Sequence, residues 1–172
     1  MKDKLKSIFS RRSIRRYRQE ELSDEMVRDL LMAAMAAPSA CAKDPWEFIV
    51  VRDHATLAKI AEALPNGSFL AEAGLGLVVC GDLQRAHGGE LSYLLQDCSA
   101  AIENVLLAAS MLGLGACWLG VHPRPERVDF LKSYFQLPQS IVPVAVVSVG
   151  WAADIQPPQS RFEERYIHQE KW

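Results

Sequence analysis

Cysteine is scarce and scattered in this sequence. Cys41, Cys80, Cys98 and Cys117 form no C-x-x-C pair, and no histidine accompanies them at metal-ligand spacing. That excludes a zinc ribbon and a disulfide framework and reads as free thiols in a reducing compartment. No apolar run approaches the ~20 residues that span a bilayer. The charged N-terminus lacks the apolar stretch of a signal peptide, so a cytoplasmic protein without membrane attachment is expected. Catalytic signatures are also missing: there is no G-x-S-x-G, no G-x-x-x-x-G-K-[ST] and no H-E-x-x-H. Gly113-Leu114-Gly115 lacks the third glycine of a dinucleotide fingerprint and closes a helical pattern where that fingerprint opens one. His54, His87, His122 and His168 fall in separate segments with no shared spacing. The formal net charge of −2 gives no global attraction to nucleic acid or membrane.

Local charge tells a different story. Lys2, Lys4, Lys6, Arg11, Arg12, Arg15, Arg16 and Arg18 place eight of the 19 basic residues in the first 18 positions, against one acid, Asp3. Within that run, Arg11-Arg12-Ser13 sets guanidinium groups beside a hydroxyl, which suits a phosphate. A solvated basic face and a nucleic-acid contact are the alternatives, and the run by itself leaves all three open.

Hydrophobic content of 49% over 172 residues is enough for one domain with a proper core. Lys2 to Phe9 is a short helical candidate. Ser23 caps a second helix whose Val27, Leu30, Leu31, Ala34 and Met35 recur at helical spacing, ending by Ala37 because Pro38 follows. Pro38 to Trp46 is a loop between two prolines. Phe48–Val51, Leu75–Cys80, Ala116–Leu119 and Val142–Val149 are strand candidates. Pro143 in the last of these implies an edge strand or a start one residue later. His54–Leu64 and Glu126–Phe135 are amphipathic helices, and Pro65-Asn66-Gly67 is a turn. Glu90–Leu112 holds the helical repeat through six turns and is apolar around most of its girth from Ala100, so it is expected to be buried, centrally or against a second subunit. Asp97 and Glu103 fall on it as lone carboxylates at positions read as exposed, where they carry no signal by themselves. Gly113 stops it. Trp151–Trp172 is an irregular tail, either disordered or packed on another surface, and its aromatics favour packing. The pattern predicts an α/β or α+β sheet covered by helices.

Several blocks, taken together in this order, resemble the FMN-dependent nitroreductase and flavin reductase family. They are Arg11 to Tyr17, Ala36-Ala37-Pro38-Ser39-Ala40, Pro45 to Val51, Gln96 to Asn104, Leu112 to Val121, Val149-Gly150-Trp151 and the tail from Arg161. The resemblance spans nearly the whole chain. It implies a nitroreductase-like three-layer sandwich, a central mixed sheet flanked by helices, in a homodimer whose two FMN sites lie at the subunit interface, with the 151–172 tail packed on the partner.

The resemblance also assigns roles. Arg11, Arg12 and Ser13 would hold the FMN phosphate, closed by a late arginine, Arg161 first and Arg165 second. Arg15 would stand at the pyrimidine edge of the ring, where a cation favours the reduced form. Asn66 matches a position facing the N3 and O4 side. Pro38, Ser39 and Ala40 would line the ring, and Trp118, Leu119 and Gly120 would pass near N5, with the amide of Leu119 or Gly120 directed at it. The chain departs from the common pattern at Ala42 and Asp44, where many members carry Asn and Gln, and at Ser68, where many carry lysine. The implied activity passes hydride from NADH or NADPH through the flavin to a nitroaromatic, quinone or flavin acceptor. A non-catalytic flavin-binding or sensor protein and other flavin chemistry on the same scaffold are the alternatives.

Overall fold

In the computed structural model, which describes residues 2–172, four strands form one sheet in the order β1-β2-β4-β3. They are β1 (Trp46–Val51), β2 (Leu75–Asp82), β3 (Gly115–Gly120) and β4 (Ile141–Gly150). All three neighbouring pairs are antiparallel, and the parallel component expected of a mixed sheet is a single bridge between Ser13 and Ala116. The helices are α1 (Lys6–Ser10), α2 (Asp24–Met35), α3 (His54–Ala63), α4 (Leu91–Met111) and α5 (Pro125–Tyr134).

The period-two alternation of the central strands builds the layers. Leu75, Leu77 and Val79 of β2, with Ala145, Val147 and Val149 of β4, face a core filled by α2 and α4. Val78, Cys80 and Val146 point the other way, into a core closed by Leu57, Ile60 and Ala61 of α3, Leu131 of α5, and Ile14 and Tyr17. A helix-sheet-helix sandwich results.

Local chemistry sets the boundaries. The Ser23 hydroxyl accepts from the Met26 amide at 3.2 Å and caps α2, whose first turn carries Asp24 and Glu25 where the helix dipole favours them. Asp53 caps α3 by accepting from the Thr56 amide at 2.8 Å. α4 ends where Gly113 adopts φ 76°, and the Leu114 amide returns to the Ala109 carbonyl at 2.8 Å.

Pro143 does not mark an edge: β4 lies between β2 and β3 and begins at Ile141. The register slips beside it, so that Val144 has no partner on β2, and the Val144 carbonyl instead accepts from the Val121 and His122 amides. A bulge accommodates the missing N–H of proline in an interior strand. The tail is hydrogen-bonded to the basic run over its first residues, as far as Pro157. Ala152 bridges Tyr17, Ala153 donates to the Arg16 carbonyl at 3.0 Å, and residues 155–172 lie exposed, including Phe162, Tyr166 and Trp172. No helix among the described residues is long and apolar enough to cross a membrane.

Candidate functional site

The basic run is laid along the outer edge of β3. The Ile14 amide donates to the Ala116 carbonyl at 3.0 Å, and two buried side chains, Ile14 and Tyr17, pin the segment to the sheet. Two glycines make room for them. Gly115 and Gly150 pair across β3 and β4; a Cβ on Gly115 would lie 2.7 Å from Ile14, and one on Gly150 2.9 Å from Tyr17. With Ile14 and Tyr17 inward, Ser13, Arg15 and Arg16 face solvent, and Arg11 and Arg12 are half-buried.

Four clefts touch this segment, and three of them form a series along its arginines. Arg11 and Arg12 line one of about 280 Å³ together with Gln159, Ser160 and Arg161 of the tail. Arg12 also lines a second, about 250 Å³, with Ser13 and Arg15. Arg15 in turn lines a third, about 240 Å³, with Asn66, Phe69, Trp118, Leu119, Gly120 and Arg127. Shared residues link the three into one path. An extended chain advances ~3.3 Å per residue, so Arg11 to Arg15 covers roughly 13 Å.

The charge in this path is largely uncompensated. Arg11, half-buried, meets the exposed Glu103 at 3.4 Å, and Arg16 meets Asp154 at 2.9 Å in an exposed pair of little strength. Arg12 donates to the Pro157 carbonyl, and Arg15 lies 5.9 Å from the Phe69 ring centre. Among the described residues Arg12, Arg15, Arg127 and Arg161 form no ion pair. Arg165 is engaged locally, 2.6 Å from Glu163 and 3.0 Å from the Tyr166 hydroxyl. Of the two tail arginines, it is Arg161 that joins Arg11 and Arg12.

Strand geometry also distinguishes the amides of Leu119 and Gly120. Ala116 turns its carbonyl to the free edge of β3, toward Ile14. Backbone groups alternate between the two edges of a strand, so Trp118 and Gly120 also face outward, whereas Leu119 faces β4. The Gly120 carbonyl accepts from Arg127 at 2.7 Å. Space beside Gly120 is open, with no atom within 4 Å of where a Cβ would stand.

Pro38, Ser39 and Ala40 are not brought to this path. They precede β1, the opposite edge of the sheet, and line none of its three clefts. Their polar groups are already used. Ser39 Oγ donates to Asp44 Oδ1 at 2.5 Å and accepts from the Asp44 amide at 2.9 Å, so the Asp44 departure locks the loop. The Ala40 amide donates to Asp97 Oδ1 at 2.9 Å. Cys41, Ala42 and Asp44 hold left-handed conformations at φ 51°, 51° and 47°, which non-glycine residues adopt at a cost of ~1 kcal/mol or more.

Sequence reasoning missed Asp97, which is buried where a solvated helix position was expected. It also missed Arg127, which between Glu126 and Val128 carries no motif. A larger cleft of about 370 Å³ lies elsewhere, but two of the arginines lining it are paired, Arg18 with Glu20 and Arg52 with Asp24.

Comparison with known proteins places this geometry. The model of the nitroreductase family matches residues 8–68 and 63–151. The chain belongs to the nitroreductase family, a family of oxidoreductases. It is 45% identical over the full length of both chains to an Archaeoglobus fulgidus protein provisionally named NADH dehydrogenase/NAD(P)H nitroreductase. An FMN-dependent nitroreductase from Clostridium difficile superposes with a TM-score of 0.88 at 26% identity, covering 96% of this chain and 98% of that one. A Desulfovibrio desulfuricans structure, provisionally a nitroreductase and solved in complex with FMN, gives 0.83 at 30% identity, covering 98% and 96%.

Proposed function

We propose that this protein is an FMN-dependent oxidoreductase that carries hydride from NADH or NADPH to a small acceptor: a nitroaromatic, a quinone or a free flavin. One observation carries the reading. The linked clefts run from a three-arginine cluster to an open strand edge, as an elongated ligand with a phosphate at one end and a flat ring at the other requires.

The residues present fit FMN by their donor chemistry. Arg11, Arg12, Ser13 and Arg161 would take the phosphate, supplying forked and hydroxyl donors to a dianion. Arg15 and Asn66 would meet the pyrimidine edge. Trp118 would cover part of the ring, and the Gly120 amide would be directed at N5, beside the pyrimidine edge, the orientation of Leu119 leaving that task to Gly120. When bound, FMN would supply the hydride-accepting N5 and return the electrons to the acceptor. The side chains need only bind, orient and exclude water, which accords with the missing acid–base motif.

In this reading one chain does not complete the site. Pro38, Ser39 and Ala40 belong to a loop at the far sheet edge, so a second copy would bring its loop to the ring of the first. The whole chain would act as one nitroreductase-like domain in a cytoplasmic homodimer. The exposed apolar tail residues Phe162, Tyr166 and Trp172 support a tail packed on the partner.

An absorption spectrum of the purified protein tests the proposal, followed by anaerobic addition of NADH and then NADPH. Flavin bands that bleach with either donor support it. Protein that is colourless and takes up no added FMN overturns it, and flavin that stays oxidised with both donors leaves a binding protein instead of an enzyme. Sedimentation at micromolar concentration reads the dimer.

A further inference from the structure

Arg127 sits where a cation is costly. It is the third residue of α5, in the first turn, where the helix dipole repels positive charge. No carboxylate of a described residue lies within ion-pair distance of it. Its Nε is shielded from solvent and has no hydrogen-bond partner. A shielded, unpaired donor on a charged group is destabilising. Yet the side chain is held in place, since Nη1 donates to the Gly120 carbonyl at 2.7 Å. That bond turns the guanidinium into the cleft it shares with Arg15 and Asn66. Two unpaired guanidinium groups therefore face one space of about 240 Å³ whose remaining lining is apolar or uncharged. Such a site calls for an anion, or for a group that becomes one.

We propose that Arg127 is a second ring-contacting cation, which acts with Arg15 to stabilise the negative charge that the pyrimidine edge of FMN acquires on reduction. This rests on the flavin reading above and extends it to a residue from a different element. A cation that acts on developing charge binds the reduced ring more tightly than the oxidised one, so its removal lowers the midpoint potential. A merely structural role, bracing the end of β3 through Gly120, would weaken both forms alike.

The test measures FMN affinity and midpoint potential in the full-length protein and in R127Q, R127K and R15Q. Thermal melting checks that each variant is folded. In R127Q the affinity for oxidised FMN should change less than about threefold, whereas affinity for the reduced form should fall about tenfold. For a two-electron couple that corresponds to a potential lower by about 30 mV. R127K keeps the charge and should stay within about threefold of wild type in the reduced-form affinity. The proposal is overturned if R127Q weakens both forms equally, or if R127K behaves as R127Q, provided that R15Q shifts the potential. If R15Q also leaves the potential unchanged, or if wild type takes up no FMN, it is the underlying flavin reading that fails, and this inference with it.

Discussion

Tyr17 Oη and Ser148 Oγ lie 2.7 Å apart in the core beneath the basic segment, joining the Arg11–Tyr17 run to the interior strand β4. Tyr17 also donates to the Ile14 carbonyl at 2.8 Å, so its phenol accepts from Ser148 while giving its own proton to Ile14. Burial pushes the phenol well above its ordinary range, so it is neutral near neutral pH. This pair holds the arginines in register along β3. In Tyr17→Phe the Ile14 carbonyl loses its donor and Ser148 its acceptor, which should cost ~1–2 kcal/mol. Chemical denaturation measures it; a variant as stable as wild type would remove the pair from the account. Affinity for added FMN should fall several-fold as the arginines lose their fixed spacing.

Asp97 clamps the loop before β1. Its Oδ1 takes the Ala40 amide, while its buried Oδ2 has no partner. Asp97→Ala strips the amide of its acceptor and should destabilise by ~1–3 kcal/mol. Asp97→Asn keeps that acceptor and should recover most of the stability that Ala loses. Urea titration of both variants decides the matter. If Asn proves as damaging as Ala, the free oxygen must have a cationic partner, one that a second subunit would supply.

Much of this was legible in the sequence, and the failures share a cause. Strand positions and the α2, α3 and α4 boundaries follow from apolar periodicity, from Ser23 at its cap and from Gly113 at its stop, all local signals. Pro143 misled because an edge and a bulge satisfy the same missing donor, and only pairing across strands separates them. Arg127 was invisible for a similar reason: its meaning lies in a bond to Gly120 seven residues away and in the absence of any nearby acid. Asp97 looked solvated because helical spacing gives no sign that a loop 57 residues earlier covers it. The basic run was readable as a local concentration of positive charge. That Arg161 joins it while Arg165 turns to Glu163 depends on the path of a tail without periodicity.

The thiols give a pH dependence of known sign. Burial pushes Cys80 and Cys98 up to about 12 and raises Cys117, while Cys41 is exposed. The folded state therefore holds these protons more tightly than the unfolded state, whose thiols titrate near ~8.5. Their contribution is intact below that value and is lost as pH rises toward 12. Stability against urea should be level from neutrality to about pH 8.5 as far as the thiols decide it, then fall, and Cys80→Ala should flatten the fall. A thiol reagent at pH 8 should modify Cys41 quickly in the native protein and the other three only after unfolding. Rapid modification of two or more would show that the buried thiols are accessible.

Arg161 and Arg165 differ by four positions and, in our reading, by a whole function. Arg161 is unpaired and shares a cleft with Arg11 and Arg12, whereas Arg165 is bound to Glu163 at 2.6 Å. A charge-assisted bond to phosphate is worth ~1.5–3 kcal/mol when shielded, less at an exposed position such as this one. Arg161→Gln should therefore weaken FMN about five- to tenfold and leave riboflavin, which lacks the phosphate, bound as before. Arg165→Gln loses only an exposed pair and should change FMN affinity less than twofold. Fluorescence titration with both ligands separates a phosphate contact from general damage to the tail, because general damage would weaken riboflavin as well. Raising the salt concentration should narrow the gap between FMN and riboflavin in wild type and narrow it less in Arg161→Gln, since one of the three charges that salt screens has been removed. The reverse pattern, with Arg165 sensitive and Arg161 not, would move the phosphate to the other end of the tail turn.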